Sequence, residues 1–422
     1  MLRKPFITYF IFLAVWATAF TGCNNKKNNN AAKKADKTTT TASTNIDDSL
    51  RSHLQHFVNK PRVKGKFAMY VYDLTAGKPV FGYNENQCLP SASCLKLLTG
   101  TAGMHLLGCN YLYRSALYKT GSIANGVLNG NAVFKAGLDP QLDEKTMEMF
   151  AGKLRGQGVK QINGKLIIDL LLHQPVKSEQ HWYPWDLSFS SYGTLYKGDD
   201  KVKQQLKQAF ARKGIHLVDS QLVMGSVPRN ARKVFCFGRS VQFVIKRMWK
   251  NSSNTQATSL LYTIGHATNP KAEPTQAGVA YLKQFLRKEI GINNPQVVIH
   301  DGCGLCTYNH LSPVVLTSIL KYGYRHPDIY KSMQRQLSIA GVDGTLKKWS
   351  DADMKGKIKG KTGTLSHPYG ISSVAGFCKG ANGHLLAFAV MDSEMSVLDA
   401  HVLQKKVCKL LVSAPEKNKG RN

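Results

Sequence analysis

Three short strings follow one another in this chain of 422 residues: Ser93-Cys94-Leu95-Lys96, then Ser252-Ser253-Asn254, then Lys361-Thr362-Gly363. Each is weak alone, because a chain rich in Lys and Ser produces S-x-x-K by chance. Their settings add information. The first opens an apolar, helix-like run through Leu95, Leu97, Leu98, Met104, Leu106 and Leu107, and the third lies in a strand-like stretch followed by two more. If strings so far apart are to act together, the fold must bring both ends of the chain to one place and carry the middle as an insertion. The pattern supports that plan. Residues 67–72 and 80–83, joined through Thr75-Ala76-Gly77-Lys78, predict a hairpin leading into the Ser93 helix. Residues 357–364, 371–377 and 384–390 predict three strands, and 397–411 an amphipathic helix. The expectation is an α+β fold: one antiparallel sheet, flanked by helices, that takes strands from both ends and gathers the three strings in one cleft.

Residues 121–238 have their own rhythm, with a strand at 132–135, a helix at 145–155, a strand at 165–169 and a helix at 201–212, and read as an inserted α/β subdomain. The expected division is therefore a main domain from 48–120 and 239–414, the insert, and a basic tail at 415–422. The first residues carry Arg3 and Lys4, an apolar run over 6–20, and then Thr21-Gly22-Cys23. That run is short for a bilayer span and has the plan of a secretory signal, with an uncleaved anchor as the alternative. Its end resembles a lipobox, which makes Cys23 the expected lipidation site. Residues 24–47, mostly Asn, Lys, Ala and Thr, cannot bury enough surface to order themselves. They read as a tether of about 30 Å.

A formal charge of +31 favours anionic surfaces and substrates. No zinc finger, basic zipper or RNP-type string accompanies it, and the secretory signal points away from nucleic acid. Apart from Cys23 there are eight cysteines, an even number that permits disulfides whose connectivity the sequence does not give. Cys303-Gly304-Leu305-Cys306 lacks a second pair or a His pair at zinc spacing, so a buried structural role is the better reading. No metal and no cofactor is expected.

Ser93 and Lys96, three apart on a helix, share one face. A serine hydroxyl needs a nearby base, and Lys96 serves if burial, the helix start or a second cation such as Lys361 disfavours its ammonium. Asn254 offers an amide to a substrate carbonyl, and Ser252 a hydroxyl able to relay a proton. Taken locally, Ser252-Ser253-Asn254 reads nearly as well as a helix cap. Lys361, Thr362, Gly363 and Thr364 lie on a candidate edge strand where the glycine lets a ligand backbone approach. A cation there suits a terminal carboxylate. The N–H groups of Ser93 and Thr364 are candidates for an oxyanion hole. Gly360-Lys361-Thr362 imitates the end of a phosphate-binding loop but fails on its spacing from Gly356.

With these strings in place, the chain resembles the low-molecular-mass class C penicillin-binding proteins, the D-alanyl-D-alanine carboxypeptidase/endopeptidase family of the bacterial envelope. The likeness extends over 89–99, 158–169, 182–186, Asp301-Gly302-Cys303-Gly304-Leu305 and 340–346, and spans 49–414. It implies a penicillin-binding, serine β-lactamase-like transpeptidase fold. It implies Ser93 as acylated nucleophile, Lys96 as base, Ser252 and Asn254 as the second catalytic element, and Lys361, Thr362 and Gly363 as the substrate-binding strand. Peptidoglycan peptides and β-lactams are the implied partners, at a lipid-anchored periplasmic location. There are departures. Ser253 stands where the family usually has Asp, Cys303 and Cys306 replace serines, and the stretch after Tyr192-Gly193 runs almost directly into a helix, as if one inserted subdomain were reduced or missing. Alternative readings are a β-lactamase-like hydrolase and a catalytically silent peptidoglycan-binding envelope protein.

Overall fold

The computed structural model describes residues 45–60, 64–176, 182 and 193–413. Cys23, the expected signal, the expected tether up to residue 44, the tail from 415 and most of 182–186 lie outside the described residues.

Both ends of the chain do meet in one sheet. Strands β1 (Lys66–Asp73) and β2 (Lys78–Tyr83) form the hairpin; β3 (Ser338–Ile339), β4 (Ile358–Leu365), β5 (Ile371–Lys379) and β6 (Leu385–Ser393) come from the far end. Their order is β3-β4-β5-β6-β1-β2, with every neighbour antiparallel. The joint between the ends is the β1–β6 pairing, in register from Lys66 opposite Ser393 to Asp73 opposite Leu386.

Strands β5 and β6 are buried on both faces, and their alternation sorts their residues into two cores. Val374, Cys378, Leu386, Phe388 and Val390 face a core with Leu50 and Leu54 of the helix Asp48–Val58 and with Val407, Cys408 and Leu411 of the helix Val397–Val412. Ala375, Phe377, Ala387, Ala389 and Met391 face the other side, with the helices Leu95–Leu107 and Pro313–Arg325. The result is three layers, helix on sheet on helix. The helix Leu95–Leu107 packs in turn on Asn254–Thr268, and both are almost wholly buried. That second layer of helices positions the first and second strings against each other.

The middle of the chain builds a second sheet from Leu112–Lys119, Ala132–Ala136, Leu166–Asp169, Leu222–Met224 and Arg232–Ser240. It is mixed, with parallel pairs on either side of Leu166–Asp169. The helices Glu144–Arg155 and Asp199–Arg212 pack together beside it. This sheet draws on 112–240, a wider stretch than 121–238, because Leu112–Lys119 pairs with Arg232–Ser240 and Ala132–Ala136 rather than with the main sheet. Among the described residues no helix is long and apolar enough to cross a membrane.

Candidate active site

The chain enters the site through the short extended pair Leu89–Pro90, paired with His310–Leu311, and then turns at Ala92, which adopts a left-handed φ of 43°. That turn starts a 3-10 segment, Ala92–Cys94, which passes without a break into the helix Leu95–Leu107. Ser93 is half-buried on this turn and Lys96, one turn on, is fully buried. Trp249, also fully buried, donates its indole N–H to the Lys96 carbonyl at 2.7 Å and so ties the first turn of the helix to the segment just before Ser252.

Lys96 Nζ donates to Ser93 Oγ at 2.8 Å, to the side-chain carbonyl of Asn254 at 2.7 Å and to the backbone carbonyl of Cys303. Three N–H bonds meet three oxygens, so the ammonium is matched. The neutral amine has two N–H bonds and a lone pair, and one of the three contacts must then reverse. Among these partners only the Ser93 hydroxyl has a proton to give; the other two are carbonyl acceptors. Removing one proton from Lys96 therefore aims its lone pair at the Ser93 O–H. Burial pushes Lys96 below the usual lysine range, which favours that state.

Lys361 is the second buried amine. Its Nζ donates to Ser252 Oγ at 2.9 Å and to the carbonyl of Thr362. Burial first, and the charge of Lys96 second, lower it to about 7. The strand that carries it, β4, is penultimate rather than outermost, which corrects the expected edge position. Only Lys359 and Gly360 are covered, by β3, and among the described residues no strand pairs with that side from Lys361 onward. The open stretch is the one bearing Lys361, Thr362, Gly363 and the exposed Thr364.

Ser252 sits at a left-handed φ of 58° between the helices Val241–Lys250 and Asn254–Thr268. Ser253 is the N-cap of the second helix, its side chain accepting from Gln256 N at 3.4 Å. The string divides its contacts between different residues. Ser253 caps, while Ser252 and Asn254 contact the two lysines.

Two glycines let the backbone of Ser93 be gripped from both sides. A Cβ at Gly363 would lie 2.9 Å from Ser93 N, 2.8 Å from Ser91 O and 2.4 Å from Ser373 Oγ. A Cβ at Gly304, whose φ is +83°, would lie 1.9 Å from the Ala92 carbonyl oxygen and 3.1 Å from Ser93 N. The turn carrying Gly304 is folded around the buried Asp301 and Asn309. Neither was singled out for a role in the sequence, although an Asp two and three residues ahead of the N–H groups it receives is a usual turn pattern. Thr345 and Ser338 were likewise missed. Thr362 Oγ1 donates to Thr345 Oγ1 at 2.7 Å, and Ser338 Oγ donates to the Lys250 carbonyl at 3.0 Å, so strand and second string are laced together beside the cleft. Cys94, Cys303 and Cys306 are buried near this site, and none of the eight described cysteines forms a disulfide. Among the described residues no group of three or more His, Cys, Asp or Glu is placed to hold a metal.

The arrangement can deprotonate one serine, present a cation and a strand edge to a peptide-like ligand, and supply a second hydroxyl held by the second amine. Replacing Gly304 with Ala should force the Ala92–Ser93 backbone to move. The expected outcome is a loss of covalent labelling of Ser93 by a serine-directed acylating agent on the order of 100-fold, the scale set by a 1 Å misplacement. Labelling rates measured on folded variant and parent check it, and equal rates would show that the turn does not set the position of Ser93.

The model of the D-Ala-D-Ala carboxypeptidase 3 (S13) family matches the chain over residues 50–194 and 190–413. The D-alanyl-D-alanine carboxypeptidase DacB of Haemophilus influenzae is 24% identical over 391 residues, covering 72% of this chain and 81% of that protein. A D-alanyl-D-alanine carboxypeptidase of Actinomadura sp. is 19% identical, covering 82% and 81%. Among solved structures, penicillin binding protein 4 (dacB) of H. influenzae superposes with a TM-score of 0.70 at 19% identity, covering 81% of this chain and 93% of that one. The predatory peptidoglycan endopeptidase Bd3459 of Bdellovibrio bacteriovorus does so with a TM-score of 0.58 at 17% identity, covering 82% and 92%.

Proposed function

The chain belongs to the D-Ala-D-Ala carboxypeptidase 3 (S13) family, a family of serine peptidases, and from that premise we propose that Ser93 is its nucleophile, acting on the D-alanyl-D-alanine ends of peptidoglycan stem peptides. The observation that carries this reading is the Lys96 amine, buried and held at once by Ser93, Asn254 and the Cys303 carbonyl.

In the proposed course the neutral Lys96 accepts the Ser93 proton as Oγ bonds to the carbonyl carbon of the penultimate D-alanine. The N–H groups of Ser93 and Thr364 receive the oxyanion; loss of one such donor typically raises a barrier by about 3–4 kcal/mol. Collapse breaks the C–N bond, and the leaving nitrogen takes a proton from Ser252, which is resupplied from Lys96. Water then hydrolyses the ester, returning Ser93. Asn254 orients the substrate amide with the N–H bonds its contact to Lys96 leaves over, and Thr362 and Gly363 offer the open strand edge. Protonated Lys361 holds the terminal carboxylate. A β-lactam presents a similar amide and carboxylate, and the H. influenzae relative has been solved in complex with one.

The division into a peptidase domain from 48–120 and 239–414, an insert and terminal segments accompanies this reading. So do a location in the cell envelope and a lipid on Cys23, supported by the Thr21-Gly22-Cys23 ending of the apolar run.

Four measurements test the proposal. Fluorescent penicillin should label the parent protein and leave Ser93→Ala dark; equal labelling of both would reject Ser93. Mass spectrometry of muropeptides from the same incubation should show loss of a single alanine, whereas splitting of cross-linked dimers would assign the endopeptidase mode. For substrates with a free carboxylate, kcat/KM should decline as pH rises through about 7, because Lys361 loses its charge there. A C-terminally amidated peptide should lack that limb; the same limb in both would remove Lys361 from carboxylate recognition. Radiolabelled palmitate should be incorporated in the source cell and lost in Cys23→Ala, and incorporation that persists in the variant would exclude Cys23 as the acceptor.

A further inference from the structure

One buried acidic group takes no part in the chemistry above, yet sits at the centre of the turn that holds both reacting side chains. Asp301 is 1% exposed. Its Oδ1 accepts from the backbone N–H of Cys303 at 2.9 Å and of Gly304 at 2.6 Å, and its Oδ2 from the N–H of Cys306 at 2.8 Å and the indole N–H of Trp182 at 2.9 Å. All four contacts are donors, which matches an acceptor-only carboxylate.

The turn so folded grips the nucleophile's helix at three points. The Cys303 carbonyl receives Lys96 Nζ, the Gly302 carbonyl receives Thr99 Oγ1 at 2.7 Å one turn further along, and Gly304 presses on the Ala92–Ser93 peptide. Asn309 closes the turn. Its side chain accepts from His300 N at 2.7 Å and donates to the Cys306 carbonyl at 3.0 Å, and its own carbonyl receives Ser91 N at 3.1 Å. The whole segment from Asp301 to Asn309 is thus a bracket between the approach to Ser93 and the amine of Lys96, and the carboxylate is its hub.

We propose that Asp301 is a positioning residue for the Ser93–Lys96 pair: its carboxylate shapes the turn that holds the Lys96 amine, and its negative charge acts on that amine from behind the turn. The inference rests on Ser93 and Lys96 being the acylating pair. The groups that face Lys96 are Ser93 and Cys94 from its own segment, Asn254 from the second string, Lys361 from β4, and Cys303 and Asp301 from the bracket. Burial dominates and lowers the amine; of the groups that oppose it the Cys303 thiol comes first, and Asp301, the one carboxylate among them, comes next and draws the amine back toward its charged form. A residue in this position tunes how readily Lys96 gives up its proton as well as where it sits.

Two substitutions separate this role from simple support. In Asp301→Asn the charge is gone, so the rising limb of the penicillin acylation rate against pH should move to lower pH. Its plateau should fall by on the order of 100-fold, because one of the two acceptor oxygens becomes an NH2 facing the N–H groups it held. In Trp182→Phe the ring stays but one compensating N–H is lost; the less neutralised carboxylate should hold the Lys96 proton more firmly, and the limb should move to higher pH. Opposite displacements support the proposal. A limb that stays in place in both variants, whatever happens to the plateau, overturns it, because a purely structural loss lowers the rate without moving the titration. Should Asp301→Asn fail to fold, judged by its melting transition, Trp182→Phe decides alone, with an unmoved limb the overturning result. The parent protein is the control on the underlying reading: if penicillin does not acylate it, the assignment of Ser93 fails, and if it does while neither limb moves, only the role of Asp301 fails.

Discussion

The removal of the Lys96 amine from water is the constraint on which the other features of the site depend. An ammonium in a dry pocket is costly unless its charge is matched, and here it meets three neutral oxygens and one carboxylate set back behind a turn. Lys361, equally buried, raises that cost, since two positive charges in one poorly hydrated pocket repel. The pocket as a whole favours shedding a proton. What decides the chemistry is then the geometry of acceptance, because Ser93 is the one partner of Lys96 with a hydrogen to return. A half-exposed lysine at the same spacing would stay charged and could not act as a base.

Holding that geometry requires backbone conformations that side-chain-bearing residues avoid. Ala92, just before the first string, and Ser252, which opens the second, have φ of 43° and 58°, and each such residue costs about 1–3 kcal/mol in isolation. The surroundings that hold them are densely packed: β5 and β6 buried on both faces, the Trp249 indole under the first turn of the helix, and the close approach of Gly304 and Gly363 to the Ser93 backbone. The three-layer core supplies the stability, and the site consumes part of it in strained turns.

The main sheet was legible in the sequence because its strands are short apolar runs between turn residues, and the hairpin at 66–83 and the run from 358 to 393 fall close to the expected limits. The meeting of the three strings was legible for the same reason, since strands from both ends of one sheet leave little other place for them. The penultimate position of β4 was not. The strand that covers it, Ser338–Ile339, is only two residues long and carries no periodicity. The widening of the second sheet to Leu112 escaped for a different reason: Leu112–Lys119 has the pattern of any half-buried strand, and which sheet such a strand joins is decided by tertiary pairing. Asp301 and Asn309 were invisible as functional groups because what they hold is main chain, and main-chain donors leave no trace in residue type.

That last point also accounts for the departures from the family pattern. Cys303 and Cys306 stand where serines are usual, yet their main chain makes the contacts that shape the turn: Asp301 accepts from both N–H groups, the Cys303 carbonyl accepts from Lys96, and the Cys306 carbonyl accepts from Asn309. A thiol in place of a hydroxyl leaves these untouched and suits a position that is buried. Ser253 in place of Asp is the same kind of change, since its side chain caps the helix Asn254–Thr268 and both residue types cap well. The side chains that touch the two amines, Ser93, Asn254 and Ser252, follow the family pattern. The departures fall where the backbone or a cap makes the contact, and the side chains that hydrogen-bond the buried lysines belong to the first two strings.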